Sequence, residues 1–224
     1  MLAGLVVGAD VFLPPLLENL VARNLQSRLG LTETPEIRLD SDPVSLLTGE
    51  FHGGRAVLPG GDFDGVRPEE ATVELEPFDL DLPGSLMSGR LQTRTPLSGT
   101  LRVVLSEAEV ARLAGEEATS FPVSSVDLEE GAATVGSEVV VLGQSVPVFV
   151  KGTLDLQNDS LLFEPRGVEA FGVKVPDALT RKLLQGTSFV YPLNPSPGGD
   201  AFTGVEVHKD QLVLTGRIDN LMLL

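Results

Sequence analysis

The two histidines, His52 and His208, carry the side chains that most directly suggest acid–base or metal chemistry. Neither lies in an HExxH motif, in a zinc-ligand spacing or in the order of a catalytic triad. The glycines of "GEFHGG", residues 49–54, are similar to those of an esterase oxyanion hole, but the chain has no GxSxG nucleophile elbow. The sequence therefore predicts a protein that is not an enzyme.

A cluster of carboxylates surrounds Gly65 in the segment "GGDFDGVRPEE", and such a cluster raises the question of a calcium site. An EF-hand loop with Gly65 at its sixth position would begin at Gly60 and end at Ala71, and neither side chain supplies a carboxylate. We interpret the segment as a solvated acidic loop. The sequence thus predicts no metal site and no cofactor.

The overall charge excludes one large class of partners. The chain of 224 residues has 16 Lys and Arg against 32 Asp and Glu, a net charge of -16. Such a charge opposes long-range attraction to phosphate backbones, so nucleic acid is not an expected partner. The absence of cysteine excludes thiol catalysis, thiolate metal sites and disulfide bonds. Neither feature specifies an oligomeric state.

One segment departs from the acidic character of the chain. No Asp or Glu occurs from Leu82 to Ser106, whereas three arginines do, and apolar side chains lie among them. Apolar and basic side chains together are typical of a surface that touches lipid headgroups. This pattern predicts a peripheral membrane contact through Leu86, Met87, Arg90 and Arg94. The alternative is an ordinary hairpin whose arginines are solvated.

Hydrophobic periodicity predicts three helices. A long amphipathic helix follows Pro14 and Pro15 and ends at Gly30, with Glu18, Asn19, Ala22, Arg23 and Gln26 on its polar side. A capping box, Ser106 with Glu109, predicts a short helix over residues 107–114. The segment "VPDALTRKLLQG", residues 175–186, predicts a second short helix.

The remaining chain alternates apolar and polar residues in the manner of strands. The clearest example is "SVPVFVKGTLDLQNDSLLFEP", residues 145–165, which predicts a hairpin that turns at Asn158 and Asp159 and stops at Pro165. In "VELEPFDLDL" the apolar parity changes after Pro77, as expected of a bulge or an edge. The Val and Leu side of the hairpin faces either the core of the protein or a bound apolar ligand.

The order of these elements predicts an α+β fold with a mainly antiparallel sheet and a single domain over residues 14–224. Because the helix and the hairpin have matched apolar faces, we expect six of their side chains to face one apolar interior, either the protein's own core or a site for a bound apolar ligand: Leu17, Leu20, Val21, Val148, Val150 and Leu154. Residues 1–13 are interpreted either as the remnant of a signal or anchor segment or as an ordered or frayed lead into the first helix.

The chain resembles the bacterial LmeA-like phospholipid-binding family, whose fold is similar to that of the tubular lipid-binding (TULIP) proteins. The resemblance is carried by "LPPLLENLVARNLQSRLGL", by "IRLDSDPVSLLTGEF" with its turn at Gly49, by residues 146–184 and by "FTGVEVHKDQLVLTGRIDNLML". It implies a strongly curved sheet that wraps along the long N-terminal helix and leaves an apolar tunnel or groove for acyl chains. It implies no catalytic residue.

The resemblance also implies a function and a location. The expected function is non-enzymatic binding, or transfer, of phospholipid or another acyl-chain lipid, in the maintenance of the cell envelope. Family members usually begin with a signal or anchor segment, so we expect a periplasmic or membrane-associated protein on the outer side of the membrane. The alternative is a structural β-protein with a filled core and a protein partner.

Overall fold

A computed structural model describes a large part of the chain in two compact units. The described residues are 18–19, 22–23, 26, 31, 33–42, 45, 48–62, 65–90, 92–117, 122–141, 143–158, 160–170, 172–176, 180, 189–193 and 202–221. One unit comprises Met1–Val103, Pro195–Ala201 and Thr215–Leu224, and the other comprises Val104–Asn194 and Phe202–Leu214.

Strands dominate the described residues. The first half contains β1 (Glu36–Asp40), β2 (Glu50–Phe51), β3 (Gly53–Pro59), β4 (Glu70–Leu75), β5 (Phe78–Asp79), helix α1 (Leu82–Ser88) and β6 (Leu97–Ser106). The second half contains helix α2 (Glu107–Glu117), β7 (Val123–Glu129), β8 (Ala132–Val141), β9 (Gln144–Gln157), β10 (Ser160–Ala170), β11 (Val173–Lys174), β12 (Phe189–Pro192), β13 (Phe202–His208) and β14 (Gln211–Leu221).

These strands form three sheets. The first has the order β1-β3-β4-β6-β14-β13, the second has the order β11-β10-β9-β8-β7 with β12 also paired to β10, and β2 pairs with β5 in a two-stranded sheet. The register pairs of the second sheet are antiparallel throughout. The predicted architecture of a mainly antiparallel sheet with few helices is confirmed. Strong curvature of the sheet stays a prediction.

The predicted N-terminal helix lies mostly outside the described residues. Those that are described there, residues 18, 19, 22, 23 and 26, have helical backbones, but a long helix is not seen. The side assigned to Ala22 was wrong, because this residue is only 4% exposed and belongs to a core cluster with Ile37 and Ala56. Alanine has no polar group to solvate, so a close approach of the helix backbone to the sheet suits it.

The two predicted short helices differ in outcome. Helix α2 begins at Glu107 as predicted, with Ser106 Oγ accepting a hydrogen bond from the Glu109 backbone N–H at 3.4 Å, and it runs past Ala114 to Glu117. Its apolar residues Val110 and Leu113 are buried. The helix predicted over residues 175–186 lies outside the described residues except at its N-terminal end and at the helical Thr180.

Helix α1 replaces the strand-like or hairpin structure predicted around Leu82. The Asp81 carboxylate accepts a hydrogen bond from the Gly84 N–H at 3.3 Å, Pro83 lies in the first turn, and Gly89 ends the helix at a φ of 67°. These are the residues that start and stop helices. The apolar pattern predicted a strand because Leu80 and Leu82 are both buried, and a helix of two turns is too short to show its own period.

The turn at Gly49 connects β2 to the core of its unit. Its N–H donates to the Ser45 carbonyl at 2.8 Å, and its own carbonyl accepts from the Leu80 N–H at 2.7 Å. Its φ of +86° favours glycine, and a Cβ there would lie 2.3 Å from the Leu80 carbonyl oxygen. Beside this turn, the rings of Phe51 and Phe78 stack with centroids 5.2 Å apart. Glycine at position 49 therefore allows close backbone packing.

We predict that Gly49→Ala destabilises the protein more than Gly65→Ala does. Gly65 has nearly the same φ, +87°, but a Cβ there would meet nothing within 4 Å. The control should therefore cost about 1–2 kcal/mol for the left-handed backbone alone. Gly49→Ala must also displace the Leu80 carbonyl. Chemical denaturation of both variants measures the difference, and equal losses of unfolding free energy would contradict the role given to the Leu80 contact.

Candidate functional site

The sheet formed by β7 to β10 has one continuous apolar face. Residues directly opposite each other on paired strands share a face, so the register places Val150 between Val135 and Val168, and Leu154 beside Phe163. We call this surface the aliphatic face and define it as Val126, Leu128, Ala133, Val135, Ser137, Val146, Val148, Val150, Gly152, Leu154, Leu156, Leu161, Phe163, Val168 and Ala170. It confirms the period of two predicted for residues 145–157.

A β-bulge keeps the aliphatic face continuous along β10. The register shifts between Pro165 and Gly167, which leaves Arg166 as an extra residue. Before the bulge the apolar residues have odd numbers, as in Phe163, and after it they have even numbers, as in Val168. The prediction that the strand stops at Pro165 was wrong, because proline is compatible with a strand at a bulge. The change of apolar parity in "FEPRGVEA" is the signal that identifies the longer strand.

Gly152 makes room for an aromatic ring on this face. A Cβ at Gly152 would lie 2.6 Å from the Phe163 ring and 2.4 Å from the Glu164 carbonyl oxygen. Phe163 is therefore packed directly over the backbone of β9. The glycine that interrupts the Val and Leu alternation is part of the apolar surface and not a break in it.

The centre and the ends of the aliphatic face differ in exposure. Val150, at the centre, is only 2% exposed, and Val135 and Val168 on either side are buried as well. Val148 towards one end, and Leu154, Leu156 and Leu161 towards the other, are half-buried. The centre is thus covered, whereas Val148, Leu154, Leu156 and Leu161 keep part of their apolar surface accessible. Val146, beyond Val148, and Phe163, opposite Leu154, are buried.

Helix α2 is joined to this sheet at β7. The Glu107 carboxylate accepts a hydrogen bond from the Leu128 backbone N–H at 2.6 Å, and the Glu109 carboxylate accepts from the Arg112 guanidinium at 2.9 Å. The hydrogen bond from Arg112 gives the buried Glu109 a partner, and it is the main reason that the pKa of Arg112 is raised. Both glutamates are therefore used for structure.

The opposite face of the sheet is polar. Lys151 Nζ donates to the Glu129 carboxylate at 2.7 Å, and this hydrogen bond is the main reason that the pKa of Glu129 is lowered. A lowered pKa is the opposite of what a carboxyl group needs to act as a general acid near neutral pH. Apolar residues also occur on this face: Phe149 lies beside Gly136 and is partly exposed, and Leu162 pairs with the exposed Val190 of β12.

The histidines and the acidic loop do not assemble a site in the described residues. His52 Nε2 lies 3.7 Å from Asp42, and His208 lies between Glu130 and Glu206 at 3.5 and 3.3 Å, all with partly exposed side chains. Asp62 accepts a hydrogen bond from the Gly65 N–H at 2.7 Å, which closes the acidic loop. Within the part of the chain that the structure describes, no group of three or more potential metal ligands occurs.

The residues predicted to contact a membrane separate into different environments. Met87, near the end of α1, is 90% exposed, and Arg90 is exposed two residues beyond the helix. The Arg94 guanidinium instead donates to the Thr48 carbonyl at 3.2 Å and lies 3.7 Å from the Asp81 carboxylate. Arg94 therefore also has contacts within the protein. The assignment of Met87, Arg90 and Arg94 as a membrane contact stays a prediction.

Four other predicted positions cannot be assigned in the same way. The backbone of Leu86 lies in α1, but its side chain is not among the described ones. Leu17, Leu20 and Val21 also lie outside the described residues. The common interior of helix and hairpin therefore stays a prediction for the helix, whereas Val148, Val150 and Leu154 share one face of the sheet.

A shallow depression elsewhere on the protein does not suit an acyl chain. It has a volume of about 210 Å³ and is lined by Glu36, Arg38, Arg55 and Val57. Three of these four side chains are charged, and the Arg38 guanidinium hydrogen bonds to the Glu36 carboxylate. We therefore assign no lipid to it, and the aliphatic face is the candidate functional site.

A family model described as LmeA-like phospholipid-binding matches residues 8–217, nearly the whole chain. The chain belongs to the LmeA-like phospholipid-binding family. The match includes the aliphatic face, α1 and the turn at Gly49. No curated protein and no solved structure matches the chain. Among the described residues of this LmeA-like protein, no helix is long and apolar enough to cross a bilayer.

We predict that Arg90→Glu weakens binding of this LmeA-like protein to anionic vesicles. A basic residue near an anionic surface contributes about 1 kcal/mol, and added salt should weaken wild-type binding. Cosedimentation with phosphatidylglycerol vesicles measures the effect. Arg102→Glu is the matched control, because Arg102 is also exposed in the segment without acids and gives the same change in net charge. Equal losses in the two variants would mean that only overall charge matters.

Arg94→Glu should behave differently from Arg90→Glu. The new carboxylate would face Asp81 and could not donate to the Thr48 carbonyl, so the variant should unfold at a lower denaturant concentration. Arg90→Glu should leave the unfolding midpoint unchanged. An unaltered midpoint in Arg94→Glu would show that its contacts contribute nothing to stability.

Proposed function

We propose that this protein binds phospholipid without chemical turnover, and that an acyl chain lies along the aliphatic face. The observation that carries the proposal is the composition of that face, which is almost wholly Val, Leu, Ala and Phe across four strands and includes half-buried residues towards both ends, Val148 at one and Leu154, Leu156 and Leu161 at the other. Membership in a phospholipid-binding family supports the choice of ligand. Transfer between membranes of the bacterial cell envelope is the physiological role that we propose for such a binder.

The dimensions of the face suit an acyl chain. From Val148 to Leu156, β9 rises about 27 Å at roughly 3.4 Å per residue. The hydrocarbon of one bilayer leaflet is about 15 Å deep, half of the 30 Å core. Each methylene that leaves water contributes about 0.8 kcal/mol. An aliphatic wall of this length therefore supplies useful affinity without any charged or catalytic group.

The buried centre of the face defines how binding would occur. Because Val135, Val150 and Val168 are already covered, a lipid has to enter at a half-buried position, either beside Val148 or beside Leu154, Leu156 and Leu161, and it has to displace part of what covers the centre. The same burial favours the alternative function, a structural β-protein with a filled core. In that case the polar outer face would bind a protein partner.

We predict that Leu156→Glu lowers the affinity for phospholipid at least about tenfold. The variant places a charge in the path of an acyl chain, where it has no partner and costs free energy. The matched control is Gln157→Glu, which adds the same charge at the exposed neighbouring position on the other face of β9. Binding of a fluorescent phospholipid by delipidated protein measures both variants.

Native mass spectrometry of the purified protein provides the complementary measurement. The proposal expects phospholipid to copurify with the wild type and with Gln157→Glu, but to be depleted in Leu156→Glu. Binding that is the same in all three proteins would contradict an acyl site on the aliphatic face. A wild type that binds no phospholipid at all would favour the structural alternative.

We also predict that delipidated protein does not hydrolyse phospholipids or short-chain esters. The described histidines face carboxylates on the surface, and neither is placed beside a serine nucleophile motif. Assay of the wild type and of the double variant His52→Ala with His208→Ala tests this expectation. Turnover that the double variant loses would identify an enzyme and overturn the proposed function.

A further inference from the structure

Ser137 is a polar exception on the aliphatic face. It lies in the middle of β8 and is only 2% exposed. Among the described residues, its Oγ is the buried side-chain oxygen that has no hydrogen-bond partner. A buried hydroxyl without a partner costs free energy, and native proteins rarely leave one unsatisfied. The position therefore calls for a partner that the protein itself does not supply.

The register fixes where the Ser137 hydroxyl lies. Ser137 is opposite Val148 on β9 and opposite Val123 on β7, and Val148 is in turn opposite Ala170 on β10. This row is next to the row of Val135, Val150 and Val168. The hydroxyl is thus on the apolar side of the sheet, beside the half-buried Val148, at one end of the wall that would hold an acyl chain.

The surroundings of Ser137 select a neutral hydrogen-bond acceptor. The residues that define the aliphatic face include no Lys, Arg or His, so a phosphate placed there would be a buried charge without a counter-ion. Glu138 and Pro147, the pair adjacent to Ser137 and Val148, are on the other face and are exposed. A carbonyl oxygen carries no net charge and accepts the hydrogen bond that a serine hydroxyl donates.

We propose that Ser137 Oγ donates a hydrogen bond to an ester carbonyl oxygen of the bound phospholipid. The inference rests on the proposed function and adds the position and the chemistry of the polar end of the acyl chain. The ester carbonyl is the neutral acceptor at the start of an acyl chain. With that carbonyl at Ser137, the wall from Val150 to Leu156 extends about 20 Å for the hydrocarbon. This length exceeds the roughly 15 Å of one leaflet.

The test compares two ligands that differ only in this carbonyl. Phosphatidylcholine with ester-linked chains has the acceptor, whereas phosphatidylcholine with ether-linked chains of equal length lacks it. Delipidated wild-type protein should bind the ester lipid about three- to tenfold more tightly, the range expected for one neutral hydrogen bond. Ser137→Ala should bind both lipids with the affinity that the wild type has for the ether lipid.

Two controls separate this role from a structural one. Ser125→Ala removes a serine hydroxyl from the neighbouring strand, at an exposed position on the other face, and should keep the preference for the ester lipid. Without lipid, Ser137→Ala should unfold at the same or a higher denaturant concentration, because it removes a buried hydroxyl that has no partner. A lower unfolding midpoint would show that the hydroxyl is satisfied within the protein, and would overturn the proposal.

The remaining outcomes are also decisive. A wild type that binds both lipids equally, or a Ser137→Ala variant that keeps the ester preference, would overturn the role of Ser137 and leave phospholipid binding intact. A wild type that binds neither lipid would overturn the proposed function itself. Loss of the ester preference in Ser137→Ala alone, with unchanged stability, would support the hydrogen bond.

Discussion

The register of β9 against its two neighbours is the constraint on which the aliphatic face depends. Because side chains alternate with a period of two, a shift of one residue would turn every Val and Leu of β9 to the polar side. Backbone hydrogen bonds alone do not prevent such a shift. The burial of Val150 between Val135 and Val168 does, since a slipped strand would exchange these contacts for Lys151 and its neighbours.

The periodicity and the capping residues of short segments made much of the fold predictable. The features that were missed depend on a helix too short to show a period, or on packing between distant segments of the chain. The alternation of β9 and the capping box of α2 are encoded within a few residues, so both were found from sequence. Helix α1 was missed because its two turns are too short for a helical period and its ends are defined by Asp81 and Gly89. Ala22 was assigned to the wrong side of its helix because alanine occurs on both buried and exposed helix faces. Its burial here depends on how closely the helix packs against Ile37 and Ala56, and no local pattern gives that distance.

The candidate site shows the same division. The sequence identified Val148, Val150 and Leu154 as residues on one apolar side of β9. It could not show which strands continue this side as the aliphatic face, or that Ser137 lies on that face. Serine at an alternating position is equally compatible with either face. Whether an apolar face is core or ligand site depends on how far other segments cover it, and that is set by tertiary packing. Family membership therefore contributes the ligand class, which hydrophobicity alone leaves open.

The bulge at Arg166 has a consequence for how the lengths of related chains can vary. A strand with one apolar face tolerates the gain or loss of residues in pairs, because an even change restores the alternation. A single insertion elsewhere in β10 would reverse every later side chain, but at Arg166 one extra residue is already absorbed. Among homologous chains, single-residue length differences within this strand should therefore concentrate at the bulge. A chain that lacks the extra residue should keep one alternation of apolar residues through the whole strand, without the change from odd to even positions.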